Sequence, residues 1–173
     1  MNKRLLIIGS APCVYADIER AQVFGDFDVM AIGIDALDKY SGAFAFVASN
    51  HQEDIMPIHA VMLQRSEACG YNGPYLMIAP EHWRGVQIVE PYRPPSGSSA
   101  ITGAFAAIRL GYEKIILCGC PLTGNAPEGN PYEAFRPGWE THRAVFDGIV
   151  KSMSGWTRDL LGAPTEEWLN GQG

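Results

Sequence analysis

At 173 residues the chain is the size of one domain with a genuine core, and 47% hydrophobic against 18% charged residues describes a folded globule without a disordered acidic or basic tail. A formal net charge of -6 argues against bulk electrostatic attraction to nucleic acid, which needs a basic face. No apolar run approaches the roughly 20 residues that cross a bilayer, and Met1-Asn2-Lys3-Arg4 followed by LLIIG is too short for a secretory leader, so the expectation is a cytoplasmic protein with neither a membrane nor a nucleic acid as partner.

Arg4 to Ile8 is a continuous apolar run that ends in Gly9-Ser10-Ala11-Pro12-Cys13, and a helical segment from Tyr15 to Phe24 follows. A glycine turn between strand and helix lets the backbone approach a ligand and aims the helix N-terminus at it. It is not G-x-G-x-x-G, because Ala11 and Val14 stand at the second and third glycine positions, and a plain strand-to-helix turn is the alternative. Asp28 to Ile32 is the next strand, ending at Gly33-Ile34-Asp35. Asp35 is placed to hold a ribose hydroxyl or to cap the short Ala36 to Tyr40 segment. Ala43 to Val47 reads as a third strand with Ala48-Ser49-Asn50-His51 at its end, either a site at a sheet edge or a polar turn.

A helix with proline near its start covers Asp54 to Cys69, with His59 on its flank. Tyr75 to Ala79 and Val86 to Val89 are two more short strands, and stiff Pro91-Tyr92-Arg93-Pro94-Pro95 leads to Ser96-Gly97-Ser98-Ser99. That loop opens an alanine-rich helix in which Ile101, Ala104, Phe105 and Ile108 share one face. Its hydroxyls and free N–H groups sit at the positive helix end, where an anion is stabilised, or serve only as caps. Lys114 to Cys118 is then a short apolar strand, followed by Gly119-Cys120-Pro121.

From Gly119 to Gly138 the proline and glycine content predicts a long loop of the kind that forms lids. A helix is predicted around Thr141 to Lys151, carrying His142, Val145, Phe146 and Ile149. Trp156, Leu160, Leu161, Trp168 and Leu169 in the ending need a surface to cover them, this domain's or a neighbouring subunit's, and a homo-oligomer is expected. Cys13, Cys69, Cys118 and Cys120 lack a C-x-x-C pair, which fits reduced thiols, and no Cys or His spacing suits zinc. Cys13 at a helix start would have a lowered pKa, so thiol chemistry there is one candidate activity.

About six apolar strands alternate with helices. That order predicts an α/β, Rossmann-like three-layer fold with a mostly parallel sheet: a single domain with residues 1–122 as its core and 123–173 as lid loop and C-terminal helical tail. Gly9 to Cys13, Gly33 to Asp35, Asn50-His51 and Cys120-Pro121 all follow strands at the carboxyl edge, where such sheets bind ligands.

Together these segments resemble the bacterial sialyltransferases that use CMP-sialic acid and the related 6-hydroxymethylpterin pyrophosphokinase-like Rossmann-type proteins. The likeness runs in order over residues 4 to 122. IIGSAPC is similar to IIAGNGPS at that family's first strand end, FDVMAIGIDAL to FDVFRCNQF, AFVASN to a strand ending in asparagine, and SSAITGAFAAIRLGYEKIILCG to SG-x-x-x-x-A-x-A-x-x-LGY-x-x-I-x-L-x-G.

The resemblance implies a pocket for a nucleotide or nucleotide sugar, with Gly9, Ser10, Ala11 and Pro12 beside the phosphate or sugar, Asn50 on the nucleotide, and Ser98 with Ser99 on ribose or base. It also implies a histidine acting as general base beyond Cys120, and His142 is the match; an imidazole with an unperturbed pKa of about 6.5 suits that work. The chain departs from the family at Gly33, where the sialyltransferases have asparagine, and at Ala11, where they have a second glycine. Gly119-Cys120-Pro121 replaces the Gly-x-Asp of the pterin-kinase relatives, so the carboxylate that would hold Mg²⁺ is missing and no metal cofactor is expected. Two functions follow: a CMP-sugar-type glycosyltransferase with the nucleotide sugar as co-substrate, or a non-catalytic nucleotide-binding or assembly protein of phage or mobile-element origin.

Overall fold

Apolar runs too short for helices become the strands of one sheet. In the computed structural model, which describes residues 4–69, 73–92, 94, 98–125, 129 and 131–171, they are β1 (Arg4–Ile8), β2 (Asp28–Ile32), β3 (Phe46–Ala48), β4 (Leu76–Ala79), β5 (Ile88–Val89), β6 (Lys114–Cys118) and β7 (Val150–Ser152). All pair in parallel, in the order β5-β4-β3-β2-β1-β6-β7. The helices among the described residues are α1 (Val14–Gln22), α2 (Gln52–Cys69), α3 (Ser99–Arg109), α4 (Arg136–Thr141), α5 (Arg143–Phe146), α6 (Gly155–Leu161) and α7 (Glu166–Leu169). None is long and apolar enough to cross a membrane.

Parallel strands connected by helices are covered on both faces, which is why they read as unbroken apolar runs. Leu5 and Ile7 of β1 point to one face, with Met30, Ile115, Leu117 and the Ile101 and Ala104 stripe of α3. Leu6 and Ile8 point to the other, with Val14 and Ile18 of α1, Ile55 and Ile58 of α2, and Ile116. The result is the Rossmann-like three-layer arrangement.

From β1 the chain steps outward through β2, β3, β4 and β5. It then returns along α3 to lay β6 on the opposite side of β1. The direction of winding reverses at β1, and the loops leaving β1, β2, β3 and β6 meet the start of α3 around a cleft at the carboxyl edge.

Two expectations are corrected. The helix expected over Thr141 to Lys151 is broken: α4 ends at Thr141, α5 ends at Phe146, and Gly148 turns with φ of 71°, a left-handed conformation that costs a side-chain-bearing residue 1–2 kcal/mol or so. Val150 to Ser152 then pairs with Ile115 to Leu117 as a seventh strand, so the segment after β6 belongs to the sheet and is more than lid and helical tail. The C-terminal pieces find their cover on this chain. Trp156, Leu160 and Leu161 pack on the α3 side, Trp168 and Leu169 on the α1 side, and Thr165 caps α7 by accepting from Trp168 N at 3.1 Å.

Candidate functional site

The switch-point crevice is a cleft of about 370 Å³. Its walls come from chain-distant segments: Gly9 and Ser10 after β1, Ile32 to Asp35 after β2, His51, Glu53 and Asp54 after β3, Ser98 to Ala100 at the start of α3, and Gly119 to Leu122 after β6. Tyr132 and Phe135, on the 3-10 turn Tyr132–Phe135, close one side, so the loop beyond β6 does lie over this edge.

Each wall is fixed by its own local chemistry. Gly9 N donates to Cys118 O at 2.8 Å and Ala11 N to Gly119 O at 3.2 Å, knitting the β1 turn to the β6 turn. A Cβ on Gly9 would lie 2.5 Å from the Gly119 carbonyl oxygen and 2.7 Å from Cys120 Sγ. The missing side chain of Gly9 makes room for the neighbouring turn.

The β3 loop is held by a fully buried serine. Ser49 Oγ accepts from His51 N at 3.1 Å and donates to Asp54 Oδ2 at 3.1 Å, closing a tight turn into α2. Asn50 N donates to Ser99 Oγ at 3.0 Å, which ties the same loop to the first turn of α3. Ser98, the N-cap of α3, makes no side-chain cap hydrogen bond; its carbonyl accepts from Ile101 N at 3.1 Å and Thr102 N at 3.3 Å, and Ser98 to Ala100 bring the positive end of an 11-residue helix to the cleft.

Of the residues singled out in the sequence, Gly9, Ser10, Gly33, Asp35, Ser98, Ser99, Cys120 and Pro121 line the cleft. Asn50 is buried beside it and joined to it through Ser99. Ala11 is buried and Pro12 exposed, and neither lines it. Gly97 lies outside the described residues, as does Arg93. Asp35 is exposed inside the 3-10 turn Ile34–Ala36, whose cap is Gly33.

His142 does not line the cleft. It is the residue between α4 and α5, its ring packed among Tyr92, Phe105 and Phe146, with Nε2 hydrogen-bonded to the Tyr92 hydroxyl. Glu53, Asp54 and Phe135 carried no sequence signal for the cleft. Among the described residues no three His, Cys, Asp or Glu side chains are grouped to hold a metal ion.

The thiols of Cys13, Cys118 and Cys120 are not activated. Burial pushes Cys13 up, opposed by a contact with Ser154 Oγ at 3.4 Å and reinforced by the Asp17 carboxylate. Cys118 is raised well above the usual thiol range, and Cys120 is pushed up to about 12, in both cases chiefly by burial. The expectation of a low-pKa thiolate at Cys13 is overturned: desolvation and a neighbouring carboxylate outweigh the helix end.

A second cavity of about 360 Å³ lies at the opposite edge of the sheet, between Ser41, Phe44, His59, Arg65 and Tyr75. Its polar groups already have partners. The Arg65 guanidinium donates to the carbonyls of Leu37, Tyr40 and Gly42, and His59 is held between the Tyr75 hydroxyl and Gly85 O. The switch-point cleft, at the carboxyl edge of the sheet and at the N-terminus of α3, is the better ligand site. Compared with known proteins, the chain matches no family model, no curated protein and no solved structure.

Proposed function

We propose that the chain is a nucleotide-binding transferase, using a nucleotide sugar as donor and the switch-point cleft as its site. The observation that carries this is the convergence of five chain-distant segments on one crevice, with the first turn of α3 opening into it. An anion at a helix N-terminus gains about 0.3–1 kcal/mol, more when partly buried, so the phosphate belongs beside Ser98 to Ala100. Asp35, exposed at the end of β2, is placed to accept from ribose hydroxyls. Tyr132 and Phe135 offer aromatic surface to a base or sugar ring.

In a glycosyl transfer the nucleotide leaves with negative charge growing on its phosphate. Fixed amide dipoles already aimed there stabilise that charge without reorganising. The resemblance of residues 4 to 122 to nucleotide-sugar transferases supports the same reading. Isothermal titration with CMP, CDP, UDP and GDP tests it: at least one is expected to bind below millimolar, and binding by none overturns it.

A further inference from the structure

We infer that His51 is the acid/base residue of this cleft, taking the proton of the acceptor hydroxyl; the inference rests on the transferase reading above. The chain has four histidines, and three are placed for other things. His59 has both ring nitrogens engaged, by the Tyr75 hydroxyl and Gly85 O. His142 is packed among aromatic rings with Nε2 on Tyr92. His82 is exposed on the loop between β4 and β5 and does not line the cleft.

His51 alone lines it. Its Nδ1 lies 3.7 Å from Glu53 Oε1, and its Nε2 is bonded to no described residue. With the Glu53 carboxylate on the Nδ1 side, Nε2 is the ring nitrogen left to take the proton of an acceptor hydroxyl. The other charged groups lining the cleft, Asp35 and Asp54, are carboxylates too. The backbone of His51 is not left to wander. Ser49 Oγ holds His51 N, and Asn50 N holds Ser99 at the start of α3, so the imidazole and the helix end that would face the phosphate are parts of one hydrogen-bonded loop.

The step balances within the donor and acceptor. The acceptor O–H bond breaks and its proton goes to His51 Nε2. The freed electron pair of that oxygen forms the bond to the anomeric carbon, and the bond from that carbon to the phosphate oxygen breaks, its pair leaving on the nucleotide. His51 then returns the proton to water. With water as acceptor the same step hydrolyses the donor, which allows a test without knowing the natural acceptor.

The experiment combines nucleotide titration calorimetry, hydrolysis of CMP-N-acetylneuraminate, UDP-glucose, UDP-N-acetylglucosamine and GDP-mannose, and NMR titration of the imidazoles. His51→Gln is expected to bind the nucleotide within about twofold of wild type and to lose at least ~100-fold in donor hydrolysis, with the acid limb of the pH–rate profile gone. His82→Gln is expected to match wild type. Unchanged hydrolysis by His51→Gln, or the loss falling on His142→Gln instead, overturns the assignment while the nucleotide site stands. Binding of a nucleotide with no donor hydrolysed by wild type overturns the transfer, and absence of nucleotide binding overturns the whole reading.

Discussion

Asp17 is a fully buried carboxylate that joins three segments. It accepts from Gly119 N at 2.9 Å, from the Ser154 hydroxyl at 2.6 Å and from the Arg20 guanidinium at 2.6 Å, so α1, the end of β6 and the β7–α6 turn meet on one side chain. Removing it leaves a buried amide and a hydroxyl without an acceptor. Asp17→Ala is expected to cost about 3 kcal/mol in urea denaturation, and Asp17→Asn less, since the amide oxygen keeps one donor.

The buried thiols and a tyrosine set the alkaline limit. Cys118 and Cys120 have folded pKa values above the thiol value of 9.0, and Tyr112, whose hydroxyl donates to Asp28 Oδ2 at 2.6 Å, is raised above 10.0 by burial and that bond. A group whose folded pKa is raised holds its proton more tightly when folded. Its contribution is complete below the unfolded pKa and is lost as pH climbs toward the folded one. Stability is therefore expected to hold to about pH 8.5, the ordinary thiol value, then to fall by up to about 1.4 kcal/mol per pH unit for each group. Urea midpoints measured across this range check it, and Cys120→Ala is expected to flatten part of the fall.

At the scale of elements, the turns after β1 and β6 pack as one unit. Gly119 has φ of 66°, and a Cβ there would lie 2.6 Å from Val14 Cβ. Left-handed strain of about 1–2 kcal/mol and an overpacked contact of about 1–3 kcal/mol add in Gly119→Ala. A loss of at least about 2 kcal/mol is expected in denaturation, and a loss under 0.5 kcal/mol would mean that the turns separate freely.

Such contacts explain what the sequence could and could not reveal. β1, β2 and β6 are continuous apolar runs buried on both faces, so their bounds were legible. β3 starts at Phe46 and not Ala43, although Ala45 N already donates to Val29 O and Ala45 O accepts from Leu76 N. β7 was missed for a physical reason: Val150-Lys151-Ser152 has one apolar residue, and only its pairing with β6 makes it a strand. The strand-end glycines and serines were visible as turn chemistry. Whether Gly9 served a ligand or Gly119 was not, because that depends on an approach between residues 110 positions apart.

At the scale of the whole molecule, the order β5-β4-β3-β2-β1-β6-β7 decides where a ligand can matter most. The cleft touches loops from both halves of the sheet, β1 to β3 on one side and β6 on the other, so a bound molecule bridges the two directions in which the chain was wound. Glu53, Asp54 and Phe135 join it only through this topology, which no local pattern encodes. A nucleotide at 100 times its Kd adds about 2.7 kcal/mol to stability, roughly 5–10 °C in Tm for a domain of this size. Hydrogen exchange gives the location. Amides after β1, β2, β3 and β6 and in the first turn of α3 are expected to gain protection together, because one ligand contacts all of them. Protection confined to Ser41 to Phe44 and to Tyr75 would place the ligand in the cavity at the opposite edge and sink the switch-point site, whatever the gain in Tm.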